Sequence, residues 1–114
     1  MSRVRITGGL MVIIIGKIKL ASVEECSRLH GILKERASKS RGDAGNMGYT
    51  FSQNIEDPSE ICLTETWESE DALNAHLQIP DPAFFEALET ARIERARVVS
   101  YNGEGERVLM SRGD

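Results

Sequence analysis

The chain has 114 residues, 40% hydrophobic and 28% charged, with a formal net charge of −4. That composition builds one domain around one core and excludes wholesale disorder. The negative balance argues against a nucleic-acid partner. Lys and Arg gather in residues 1–40, with eight against three acids. Residues 41–91 carry eleven acids and one Arg. Only two cysteines are present, so a secreted disulfide scaffold is not expected, and the chain reads as cytoplasmic with reduced thiols. No membrane association is expected, because the apolar run 10–15 is far too short to span a bilayer.

In chain order, residues 4–6 read as a short extended piece ended by Gly8-Gly9. Residues 10–20 read as the first long strand. It is apolar on both faces through Ile15, so both faces are expected to be covered. Ser22 with Glu25 three residues on reads as a capping box. Cys26, Leu29, Leu33 and Ala37 then form a buried helical stripe, with His30 off it and exposed. Residues 38–46 have turn composition and read as a loop. The Arg41-Gly42-Asp43 triplet inside it resembles an adhesion motif and is taken as chance, as is its repeat at 112–114.

Residues 48–56 alternate, with Tyr49, Phe51, Gln53 and Ile55 on one face. After the Asp57-Pro58-Ser59 turn, residues 61–68 alternate again, with Ile61, Leu63, Glu65 and Trp67 together. The short connection predicts an antiparallel hairpin. Ser69 caps a helix whose face carries Leu73, His76 and Leu77, and Pro80 stops it. Asp81-Pro82 caps and restarts a helix anchored by Phe84, Phe85 and Leu88. Residues 93–101 form the last long strand. Asn102-Gly103 reads as a hairpin turn, and residues 107–110 as a short extra strand.

The order β-α-β-β-α(α)-β predicts an α+β, ferredoxin-like split βαβ domain with one antiparallel sheet and helices on one face. A single domain spans residues 1–114, with its core at about 10–101 and a tail at 102–114. The other sheet face would be bare in a monomer, so a partner is expected to cover it.

No zinc signature, phosphate-binding glycine loop or Gly-x-Ser-x-Gly elbow is present, so neither metal nor cofactor is expected. The six aromatics all lie beyond residue 48 and suit either a packed core or a cavity for a planar ligand. His76 on an apolar helix face reads either as a satisfied core residue or as a proton acceptor. Glu65 shares its strand face with Trp67 and needs a buried partner, for which Arg95 and Arg97 are the candidates.

At these residues the chain resembles the antibiotic biosynthesis monooxygenase family, including its quinol monooxygenase type. The resemblance rests on Gly45 four before Tyr49, the Glu56-Asp57-Pro58 turn, Glu65-Thr66-Trp67 before the capped helix, and Ala75-His76-Leu77. It implies a homodimer forming an α+β barrel. It also implies a cofactor-independent monooxygenase acting on a small aromatic diol or quinol with O₂. Carried over by position, His76 would be the base or a polar anchor, Tyr49 and Trp67 would line or bond the ring, and Phe84 or Phe85 would close the cavity. Glu65, from its own strand position, reads as a structural salt-bridge partner or as a substrate-orienting acid beside His76. Ala44 stands where the family has proline before Gly45, and Pro80-Asp81-Pro82 lengthens the segment after His76. Two alternatives stay open. One is a dimeric ligand-binding or stress-response module without turnover. The other is a haem-binding or haem-degrading relative, although the asparagine usual on the first strand of such proteins is missing here.

Overall fold

A computed structural model describes residues 10–113, so the pieces expected at 4–9 lie outside the described residues. Seven elements follow in the order β1 Met11–Leu20, α1 Val23–Arg41, β2 Asn46–Gln53, β3 Glu60–Trp67, α2 Glu70–Leu77, α3 Pro82–Thr90 and β4 Ile93–Gly103. The strands form one sheet in the order β2-β3-β1-β4, antiparallel at every pair. This is the ferredoxin-like α+β arrangement.

Strand alternation sends one set of side chains toward the helices. Val12, Ile14, Ile18 and Leu20 from β1 and Ile61, Leu63 and Trp67 from β3 are buried there. The expected stripe Cys26, Leu29, Leu33 and Ala37 of α1 is buried against them. Val12, Ile14, Ala37, Tyr49, Leu63, Trp67 and Leu73 form one half of the core. Cys26, Leu29, Leu33, Ile61 and Phe84 belong to the other half. The opposite sheet face carries Ile13, Ile15 and Lys17 beside Tyr101, Val99 and Arg97, and no helix covers it in the single chain.

Several local expectations change. Ser22 Oγ does accept the Glu25 N–H at 3.1 Å. The Glu25 carboxylate does not return to Ser22, however. It holds Arg28 and the Arg92 backbone N–H, and these hydrogen bonds, Arg28's first, lower its pKa to about 2. Helix α1 continues through residues 38–41, so the connection to β2 is a tight turn. Buried Ser40 satisfies its hydroxyl on the Arg36 carbonyl at 2.7 Å, and the Lys39–Glu35 pair one turn back supports the helix here.

Strand β2 ends at Gln53, so Ile55 lies in the turn and is 96% exposed. Leu77 and Phe85 are also exposed instead of anchoring their helices. Asp81 occupies the N-cap position of α3 but makes no capping bond. Asn102 and Gly103 do not turn. They extend β4, pairing with Val12 and Met11, and residues 107–110 form no strand.

Gly45 closes the α1–β2 turn with φ +82°, a conformation that L side chains rarely adopt. A Cβ there would stand 2.5 Å from Ala72 Cβ and 3.0 Å from Glu68 Cγ. Gly45→Ala is therefore expected to cost about 2–4 kcal/mol from left-handed strain plus overpacking. Gly48→Ala, where a Cβ would meet nothing within 4 Å, should stay within about 0.5 kcal/mol. Thermal melts of the two variants check this, and equal melting temperatures would refute the tight contact at Gly45.

Candidate functional site

The site forms where the end of β3 meets α2 and the last turns of α1. Trp67 is fully buried, and Glu65, two residues earlier, shares its face. The indole Nε1–H donates to Glu65 Oε1 at 2.8 Å. Burial pushes the Glu65 carboxyl above the ordinary range, and the Trp67 hydrogen bond and the nearby Arg36 charge oppose this. Tyr49 lies directly across from Glu65 in the β2–β3 register. Its phenol is likewise pushed up, first by burial and then by the Glu65 charge.

The Ser69 cap sets the phase of α2. Ser69 Oγ accepts the Ala72 N–H, and Leu73 and His76, three residues apart, turn inward. The His76 ring is 3% exposed and lies 4.5 Å from the Trp67 ring, tilted by 34°. Tyr49 meets it edge-on at 6.0 Å. His76 Nδ1 stands 2.7 Å from Asp43 Oδ2, and Nε2 stands 3.2 Å from an Arg36 terminal nitrogen. Arginine can only donate, so Nε2 is the acceptor and the proton sits on Nδ1, directed at Asp43. This is a neutral imidazole oriented by a carboxylate.

Arg36 links this cluster to α3. Its Nη1 donates to Asp81 Oδ2 at 3.2 Å, and both side chains are buried. Its guanidinium carbon lies 4.7 Å from the Phe84 ring centre and 5.5 Å from that of Phe85. Its Nε is buried without a hydrogen-bond partner, the one such side-chain atom among the described residues.

The structure therefore brings together His76, Trp67, Glu65 and Tyr49. Phe84 and exposed Phe85 lie against the Arg36 guanidinium and not against the His76 ring. Arg95 and Arg97 do not reach Glu65. They pair with Lys19 and Lys17 on the uncovered face, whereas Glu65 pairs with Ile14 on the covered one. Arg36, Asp43 and Asp81 were not anticipated. Arg36 lies three residues after Leu33 on the α1 stripe, a spacing that already marks it as buried. A separate cleft of about 390 Å³ lies between α1 and β2. Among the described residues no three His, Cys, Asp or Glu side chains are grouped to hold a metal ion, and no helix is long and apolar enough to cross a membrane.

Comparison with known proteins accords with this frame. The family model for antibiotic biosynthesis monooxygenases matches residues 11–88, and the chain belongs to that family. It is similar to a Deinococcus radiodurans structure named for the same monooxygenase, with a TM-score of 0.75 and 22% identity over 88% of this chain and 99% of that one. It is similar also to a Nitrosomonas europaea structure of that name, with a TM-score of 0.70 and 19% identity over 83% and 91%. A third similar structure is Rv0793 from Mycobacterium tuberculosis, with a TM-score of 0.69 and 19% identity over 86% and 99%. No curated protein matches the chain.

Proposed function

We propose that the chain is a cofactor-independent monooxygenase that oxidises a small aromatic diol or quinol with O₂, with His76 as the base. The observation that carries this reading is the His76 ring, held by Asp43 through Nδ1 so that Nε2 is the proton acceptor, against the Trp67 face. In the proposed reaction the substrate is the reductant. Removing a phenolic proton makes the ring electron-rich enough to pass an electron to O₂. The substrate hydroxyl would take the place of the Arg36 nitrogen at His76 Nε2. The displaced guanidinium would remain beside the phenolate and steady its charge. Tyr49 and Trp67 would wall the ring, Glu65 would fix the indole, and Phe84 and Phe85 would hold the guanidinium from the α3 side.

Oxygen-electrode traces of chelator-treated protein with a panel of hydroquinones test this. Saturable oxygen uptake is expected, and its absence with every quinol would overturn the reading. One observation favours a second reading, a ligand-binding module without turnover: Arg36 occupies Nε2, and the ring is almost closed to solvent. The haem alternative fits less well, because Asp43 and Arg36 engage both ring nitrogens and β1 carries no asparagine.

The same reading includes a homodimer in which the uncovered sheet faces pack together. Ile15 and Tyr101, 43% and 56% exposed, lie beside Ile13 and Val99 in one apolar patch on that face. Sedimentation is expected to give a dimer at micromolar concentration, and a stable monomer would count against it. Cys26 and Cys62 are free thiols, which suits the reducing cytoplasm.

A further inference from the structure

The cleft between α1 and β2 is separate from His76. Its floor is apolar, built from Leu33 of α1, Phe51 of β2 and Ile61 of β3. The Phe51 ring of this floor meets Tyr49 edge-on at 5.7 Å. The rim is basic. His30, Lys34 and Arg41 lie four and seven residues apart, so they share the side of α1 that overhangs the edge strand. No acidic side chain lines the cleft, although the chain as a whole carries a net charge of −4.

The rim charges are also uncommitted. Other cations of α1 are paired: Arg28 with Glu25, Arg36 with Asp81, and Lys39 with Glu35. Lys34 has no ion-pair partner among the described residues. Arg41 spends one N–H on the Tyr49 carbonyl at 2.8 Å and retains its charge and other donors. That bond also blocks part of the β2 edge where a peptide strand would pair. A ligand here is therefore one that needs no backbone ladder. The volume suits a small organic molecule.

We infer that this cleft binds a small amphipathic organic acid, its apolar body on Leu33, Phe51 and Ile61 and its carboxylate on Lys34 and Arg41. Its apolar floor belongs to the core on the helix side of the sheet, not to the uncovered face.

Titration of the full chain with naphthoate, followed by calorimetry and by backbone amide shifts, tests the inference. Saturable binding is expected, with the largest shifts at Leu33, Phe51 and Ile61. Naphthalenemethanol, the neutral counterpart, is expected to bind at least about fivefold more weakly, because it lacks the charge-assisted bonds. Lys34→Glu should raise the naphthoate Kd about tenfold or more by reversing a rim charge. Its melting temperature should hardly change, since Lys34 is exposed and unpaired. Arg41→Gln should weaken binding in the same direction. Equal affinity for acid and alcohol would overturn the inference, as would an unchanged Kd in Lys34→Glu. Shifts centred on His76, or no binding at millimolar naphthoate, would do the same. Neither probe is a quinol, so the result is independent of whether the chain turns over.

Discussion

His76→Ala is expected to lower turnover per folded molecule by about 10²–10⁴-fold, the range for losing a positioned general base. The same change should cost about 1–3 kcal/mol of stability, because His76 is a buried joint and not an open cavity wall. Its removal leaves the Asp43 carboxylate without its N–H donor and strips an acceptor from Arg36, whose Nε already lacks one. The two effects separate when melting temperature and kcat are measured on one preparation. A destabilised variant with normal turnover per folded molecule would reduce His76 to a structural residue. Loss of turnover beyond the folded fraction would support the proposed base.

Arg36→Met is expected to cost about 3–5 kcal/mol of stability, the usual cost of removing one member of a buried ion pair. Asp81 would be left buried with only Lys39 Nζ nearby, at 3.7 Å. For a domain of this size the melting temperature should fall by roughly 15 °C or more. Adding Asp81→Asn removes the stranded charge and is expected to recover about half of the loss. Thermal melts of the two single variants and the double variant check this. Strict additivity would show that the pair does not act as a unit. In the double variant oxygen uptake is expected to remain low on the proposed reading, in which the guanidinium would steady the phenolate. Full activity there would confine Arg36 to a structural role.

These two positions mark where sequence reading succeeds and where it stops. The helix caps Ser22 and Ser69, the Cys26 to Ala37 stripe and the Ile61 to Trp67 alternation are local signals, and all are realised. From them the antiparallel ferredoxin-like sheet follows, whereas the grouping of His76 with Trp67 comes from the family resemblance. Arg36 and Asp81 meet across 45 positions, and no local pattern specifies such a pair. A polar residue on an apolar stripe was the available signal for Arg36. The turn composition of residues 38–46 concealed more. Within its Arg41-Gly42-Asp43 triplet, Arg41 holds the edge of β2, Gly42 caps α1, and Asp43 orients His76. Strand parity explains the error over Glu65. Arg95 and Arg97 lie two residues apart on one face of β4, and that face is opposite the one Glu65 occupies.

Trp67 is the only tryptophan of the chain. Its indole is sealed from water and lies against the His76 imidazole. Ultraviolet emission excited at the red edge of protein absorption therefore originates at a single point, inside the candidate site. A shielded indole emits toward the blue, and a charged imidazolium beside it quenches that emission more strongly than a neutral ring does. Brightness would then register a proton taken up by His76, and wavelength any water admitted to the indole. The native protein thus carries its own optical probe of the proposed base and of any ring that comes to lie beside it.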